Sequence, residues 1–192
     1  MIIHFGLASL QAEWPSSAVT IGTFDGMHLG HQALLLETAR QAKKHQIPSI
    51  LLTFDRHPFI TLFPKRAPLA ISSLDEKLEI ARQLGISTTV ILAFDHELAS
   101  KSAELFLNEI LFKKLQASQI IVGHDFSFGN NRSGNAFWLQ EKVSTTILEP
   151  QKVEGIRVSS QEIRRLIADG NVFEAKKFLG RRASLSGIVI KG

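Results

Sequence analysis

Five short apolar runs, set between segments of helical period, leave this chain few ways to fold. The runs cover residues 18–24, 49–54, 88–94, 119–122 and 145–148. They are almost continuously apolar rather than alternating, the pattern of strands covered by helices on both faces of a parallel sheet. Between them lie segments 31–44, 73–84 and 101–115. The first puts Leu35, Ala39 and Ala42 on one stripe; the second opens with Ser73 and Glu76 at capping-box spacing and stops at Gly85. The third carries Leu105, Phe106, Ile110 and Leu111. This β–α alternation predicts an α/β fold with a Rossmann-like, doubly wound parallel sheet.

Beyond the last run the rhythm changes. Ser159 and Glu162 have capping-box spacing before Ile163, Leu166 and Ile167, and Asn171 and Glu174 repeat it before Ala175, Phe178 and Leu179. Two short C-terminal helices are therefore expected, ended by Gly170 and Gly180. Segments 57–68 and 129–134 are rich in Pro or Gly and read as long loops of the kind that carry function. With 192 residues, 44% apolar and 21% charged, the chain is long enough for a core of its own. The absence of cysteine excludes a disulfide framework, a thiolate metal site and a cysteine nucleophile, and fits a reducing, cytoplasmic setting. No apolar stretch approaches the length of a membrane span.

The net charge of +4 is unevenly placed. Residues 1–151 carry 13 Lys and Arg against 14 Asp and Glu, whereas residues 152–192 carry 9 against 4. Such a tail suits either a polyphosphate or nucleic-acid partner or merely solvated helix faces; charge alone favours the second.

The sharpest chemical signal is Gly-Thr-Phe-Asp-Gly-Met-His-Leu-Gly-His, from Gly22 to His31, directly after the first run and opening the first helix. In a doubly wound sheet ligands bind outside the carboxyl ends of strands. Asp25–Gly26 permits a tight turn, and Gly30 removes a side chain where a phosphate chain approaches. His28 and His31, three apart, share one face of the first helical turn, beside unpaired N–H groups and the positive dipole end. Two imidazole donors there suit phosphoryl transfer.

These ten residues resemble the signature of the nucleotidyltransferases, specifically that of the bacterial bifunctional riboflavin kinase/FAD synthetase family. Four further segments resemble that family in order. They are Thr-Phe-Asp-Arg-His-Pro at 53–58, with Arg56 where proline is usual, and Val-Gly-His-Asp-Phe-Ser-Phe-Gly at 122–129. The others are Val-Ser-Ser-Gln-Glu-Ile-Arg at 158–164, with Gln161 where threonine is usual, and Leu-Gly-Arg-Arg at 179–182. The resemblance covers about residues 18–192.

It implies an FMN adenylyltransferase domain over residues 1–185, making FAD and pyrophosphate from FMN and ATP with Mg²⁺ carried on the ATP phosphates. The FMN phosphate is itself the nucleophile, so alignment and charge stabilisation are what the protein must supply. His28 and His31 are expected on the triphosphate, with Ser159, Ser160 and Arg164 holding phosphates from a second helix start. Gly22, Phe24, Asp25, Gly30 and His57 are expected around the substrates. Asp125 is expected to accept ribose or ribityl hydroxyls, and Phe126 and Phe128 alternate, which predicts one facing the core and one the pocket. His4, His45, His96 and His124 have no ligand-like spacing and read as surface or structural. No protein-only metal cage is expected, nor a nucleic-acid or membrane partner. Residues 186–192 resemble only the first strand of a missing or truncated riboflavin kinase domain, so flavokinase activity is not expected of this chain. The alternative is a sibling nucleotidyltransferase acting on another phosphorylated acceptor.

Overall fold

The computed structural model describes residues 1–8, 10, 14–184 and 187. The chain opens with a short strand, β1 (Ile2–Phe5), then β2 (Ser17–Ile21), α1 (Leu29–His45) and β3 (Ser49–Phe54). Next come α2 (Pro58–Leu62), α3 (Leu74–Gln83), β4 (Thr88–Leu92) and α4 (His96–Ser100). A brief α5 (Ala103–Leu105) runs into a wider turn over Phe106–Phe112, followed by β5 (Ala117–Gly123). A small hairpin, β6 (Ser127–Phe128) with β7 (Gly134–Asn135), precedes α6 (Ala136–Gln140) and β8 (Ser144–Leu148). The chain then makes β9 (Lys152–Val153), β10 (Ile156–Arg157), α7 (Ser160–Ala168) and α8 (Val172–Leu179).

Six strands form one parallel sheet in the order β1-β4-β3-β2-β5-β8. Central β2 pairs with β3 on one side and β5 on the other, so Val19 lies opposite both Ile50 and Ile120. The chain therefore winds outward from β2 through β3 and β4, then crosses back to β5 and β8. The carboxyl ends of β2 and β5 flank the reversal, where open α/β sheets make a crevice. On one sheet face Val19, Ile21, Ile50, Leu52, Val90 and Val122 pack beneath Phe106, Leu107, Ile110 and Leu111. On the other, Leu51 packs with Leu35 of α1 and Ala81 of α3. Helices on both faces explain the near-continuous apolar strands.

Local chemistry accounts for most boundaries. The Ser73 hydroxyl accepts from the Glu76 N–H and Ser159 from that of Glu162, both as the spacing predicts. Asn171 does not repeat the device: it starts α8 without a side-chain cap, its N–H donating instead to the Leu166 carbonyl that ends α7. The expected helix over 101–115 starts at Ala103, capped by Ser102, and is π-wound in its interior. There the Lys113 and Leu115 N–H groups reach back five residues, to Asn108 and Ile110. Strand β2 stops at Ile21, not residue 24, because Phe24 and Met27 take left-handed backbone. The first strand, β1, escapes the sequence pattern because it is a four-residue edge strand with exposed Ile2 and Ile3. The two predicted long loops contain ordered turns, α2 with the turn Pro64–Arg66 and the β6–β7 hairpin. The strand expected over 186–192 lies outside the described residues, Gly187 excepted.

Candidate functional site

At the carboxyl ends of β2 and β5 lies a cavity of about 980 Å³, near the upper end of the range for small-molecule sites. Part of its lining is Gly22, His28, Gly30, His31, Ser159 and Ser160. Another part is aromatic: Phe54, Phe59, Phe63, Phe94, Phe106, Phe126 and Phe128 all border it. Asp125 and Arg157 stand at its wall, joined to each other by an exposed ion pair.

The histidines owe their placement to the start of α1. His28 is its N-cap: Nδ1 accepts the His31 N–H at 3.2 Å. An accepting Nδ1 carries no proton, so the neutral ring holds its proton on Nε2. The two imidazoles stack at 3.6 Å between centroids, 16° from parallel, and Phe24 meets His31 edge-on at 5.1 Å. Gly30 makes room for this stack, since a Cβ there would come within 3.2 Å of the His28 ring. Burial pushes His28 down to about 4, against a favourable hydrogen bond and the attraction of Asp25. His31 is held well below its usual range by burial, then by His28 and Lys77. Both rings are therefore neutral at pH 7. His31 Nδ1 is buried without a partner among the described residues, an unmet polar atom of the kind functional sites retain.

A second helix start meets the same cavity. Ser159 caps α7 and Ser160 is its first residue, so the starts of both α1 and α7 border the cavity. The serine hydroxyls themselves have protein partners: Ser159 accepts from Glu162, and Ser160 donates to the Asp25 carbonyl at 2.9 Å. Arg164 and Asp25 are likewise committed to each other. The buried Asp25 carboxylate accepts from the Ile71 and Ser72 N–H groups and from Arg164, whose Nε donates to the Leu69 carbonyl.

The structure thus brings Gly22, Phe24, His28, Gly30, His31, Asp125, Phe126, Phe128, Ser159 and Ser160 to one cavity. Asp25, His57 and Arg164 lie off its lining; His57 caps α2 through Nδ1, behind the lining residues Pro58 and Phe59. Phe126 and Phe128 do not divide between core and pocket: both rings line the cavity, stacked at 5.4 Å, because residues two apart in extended backbone point to the same side. His124, read as surface or structural, also reaches the wall, edge-on to Phe137. Sequence reasoning named Phe126 and Phe128 but missed Phe54, Phe59, Phe63, Phe94 and Phe106, which come from four other segments, and missed Lys77. That lysine is buried on α3 and donates from Nζ to the Thr23 carbonyl at 2.6 Å. Desolvation lowers its pKa, against the pull of Asp25.

A family model and the curated relatives agree on one family. A family model described as FAD synthetase matches residues 10–163. The bifunctional riboflavin kinase/FMN adenylyltransferase of Buchnera aphidicola subsp. Schizaphis graminum is 35% identical over 193 residues, covering 97% of this chain and 62% of the relative. Its Escherichia coli K12 counterpart is 32% identical, covering 95% and 60%. The chain therefore spans about three-fifths of the length of these curated relatives. A crystal structure described as a macrolide-efflux protein from Streptococcus pneumoniae superposes with a TM-score of 0.84 at 30% identity, over 95% of this chain and 62% of that one. A pantoate-beta-alanine ligase from Francisella tularensis, at TM-score 0.54 and 14% identity over 94% and 85%, shares the fold alone. No helix among the described residues is long and apolar enough to cross a membrane.

Proposed function

The chain belongs to the FAD synthetase family, and from that premise we propose that it is an FMN adenylyltransferase of the cytoplasm, with residues 1–185 as the transferring domain. An oxygen of the FMN phosphate attacks the α-phosphorus of ATP. A new P–O bond forms, the bond to the β-phosphate oxygen breaks, and pyrophosphate leaves with the electron pair. What supports this reading most is one cavity lined both by stacked imidazoles with two helix starts and by a set of phenylalanines. The first set suits a triphosphate; the second suits a flat, apolar ring system.

The roles follow from the protonation states. A neutral His28 with its proton on Nε2 is a donor aimed at charge that grows during transfer, and it needs no reorganisation as the charge appears. His31, with an unpartnered Nδ1, is a second polar group for the phosphates. The N–H groups at the starts of α1 and α7 add partial positive charge. Asp125 stands where a sugar or ribityl hydroxyl would donate to it. Magnesium fits here only as the counterion of ATP. No three His, Asp or Glu side chains converge among the described residues, and Asp25 and Asp125 are already paired. Such an ion screens phosphate charge and keeps most of its waters.

Purified chain given FMN, ATP and magnesium should release FAD and pyrophosphate in equal amounts, and His28→Ala should lose about 10²–10³ in rate. Pyrophosphate release with another phosphorylated acceptor, and none with FMN, would transfer the assignment to a sibling activity.

A further inference from the structure

The segment Leu179–Gly180–Arg181 lines no part of the cavity, yet its last side chain ends on the turn that carries the histidines. We infer that Arg181 is a positioning residue: it clamps the Gly26 and Met27 carbonyls so that His28 enters the cavity in one orientation and one tautomer. The kinetic part of this inference rests on the adenylyl-transfer reading; the structural part does not.

The turn needs a clamp because it is strained. Phe24, Gly26 and Met27 have φ of +50°, +80° and +42°, left-handed values that bulky residues keep only where the surroundings over-determine them. Donors from α1 itself and from three distant segments supply that restraint. Lys77 takes the Thr23 carbonyl, Ser160 that of Asp25, and Gln32 that of Met27. Arg181 alone among these bridges two successive carbonyls: Nη1 donates to Gly26 at 3.0 Å and to Met27 at 3.4 Å. Those carbonyls immediately precede His28.

The chain goes to some length to deliver that guanidinium. Leu179 is fully buried. Gly180 ends α8 at φ +72°, left-handed backbone that favours glycine, and a Cβ there would lie 2.7 Å from Leu29 Cδ2, so any other residue would also have to turn that leucine aside. The Gln32 amide then ties the Leu179 carbonyl to that of Met27, at 2.8 Å each. Arg181 Nε and Nη2 both donate to Glu76 Oε1, at 3.1 and 2.7 Å. Glu76 occupies the α3 position from which a capping box would return its carboxylate to Ser73; the carboxylate holds Arg181 instead. A lysine ammonium has no planar fork with which to span Glu76 and two carbonyls at once.

The test uses Arg181→Ala, Arg181→Lys and Glu76→Ala in the full chain. Long-range proton–nitrogen NMR of the unliganded protein reads the His28 tautomer, and steady-state FAD formation reads kcat and the FMN KM. Wild type should show Nε2–H alone. Arg181→Ala should show a mixture of tautomers and lose about 10- to 100-fold in kcat, as expected for an ångström-scale misplacement, with the FMN KM within threefold. Arg181→Lys should recover part of that loss. Glu76→Ala, which frees the guanidinium without removing it, should move tautomer and kcat the same way by less, and it carries the test if Arg181→Ala does not fold. An unchanged tautomer in a folded variant overturns the clamp whatever the chain catalyses, and a mixed tautomer with undiminished kcat overturns its positioning role. Wild type that makes no FAD, while the variants still shift the tautomer, sinks the adenylyl-transfer reading and leaves the clamp standing.

Discussion

Replacing His28 by asparagine separates its structural work from its chemical work. Asparagine is a good N-cap and its side-chain oxygen can take over from Nδ1, so α1 keeps its start; the titrating ring and the Nε2 donor are both lost. In the folded chain His28 titrates near 4 rather than 6.5, chiefly because it is buried. A group whose folded pKa is lowered stays neutral while the unfolded chain takes up a proton, so acid favours unfolding. The gap is about 2.5 pH units, or about 3 kcal/mol of stability, present above pH 6.5 and lost as pH falls to 4. At pH 5 the loss is about 2 kcal/mol, and at pH 7 it is negligible. With a urea m-value of roughly 2 kcal/mol/M, wild type should lose about 1 M more of its midpoint between pH 7 and pH 5 than His28→Asn. His31 is lowered in the same direction, chiefly by burial and secondarily by His28 itself, so its burial part tilts both curves alike and the part it owes to His28 adds to the difference. Urea titrations of both proteins from pH 7 to pH 4 decide the matter: parallel curves would refute the claim that His28 is held neutral by burial. FAD formation by the variant should meanwhile fall about 10²–10³.

Three further outcomes are expected. Arg164→Ala strands the buried Asp25 carboxylate, which has only two backbone donors left; the cost of about 3 kcal/mol should appear as a melting temperature lower by roughly 10 °C. Arg157→Ala breaks an exposed pair with Asp125, so melting should stay within about 2 °C of wild type, while the freed Asp125 changes the KM of ATP or FMN. Gln161 is exposed and off the cavity lining, unlike Ser159 and Ser160. Gln161→Thr should leave the ATP KM within twofold, and a larger change would place its side chain at the phosphates.

The sheet was legible because its strands are buried on both faces and write that fact as unbroken apolar runs. The edge strand Ile2–Phe5 was not, since half-exposed residues carry no such mark. Capping predicted Ser73 and Ser159 correctly, where a hydroxyl three residues upstream suffices, and failed at Asn171, where the preceding helix end dictates the backbone. The π-winding of 106–112 was hidden because Phe106, Leu107, Ile110 and Leu111 suit either helix. Within the site, His28 and His31 could be read from local spacing. The duties of Asp25 and Arg164 could not, because their partners stand 46 and 139 positions apart in sequence. Sequence chemistry proposed a phosphate ligand in Arg164; packing gave its guanidinium a carboxylate.

The turn before His28 is made well ahead of its last tether, which follows 155 residues behind Gly26. Until then the left-handed turn has only the donors made before it, Gln32, Lys77 and Ser160, and lacks the guanidinium that bridges Gly26 and Met27. A nascent chain can pair β2 with β3 and wind α1 long beforehand, yet its histidines remain unset until α8 has closed. Assembly of the working centre thus waits for α8, although the residues that compose most of it are made well before.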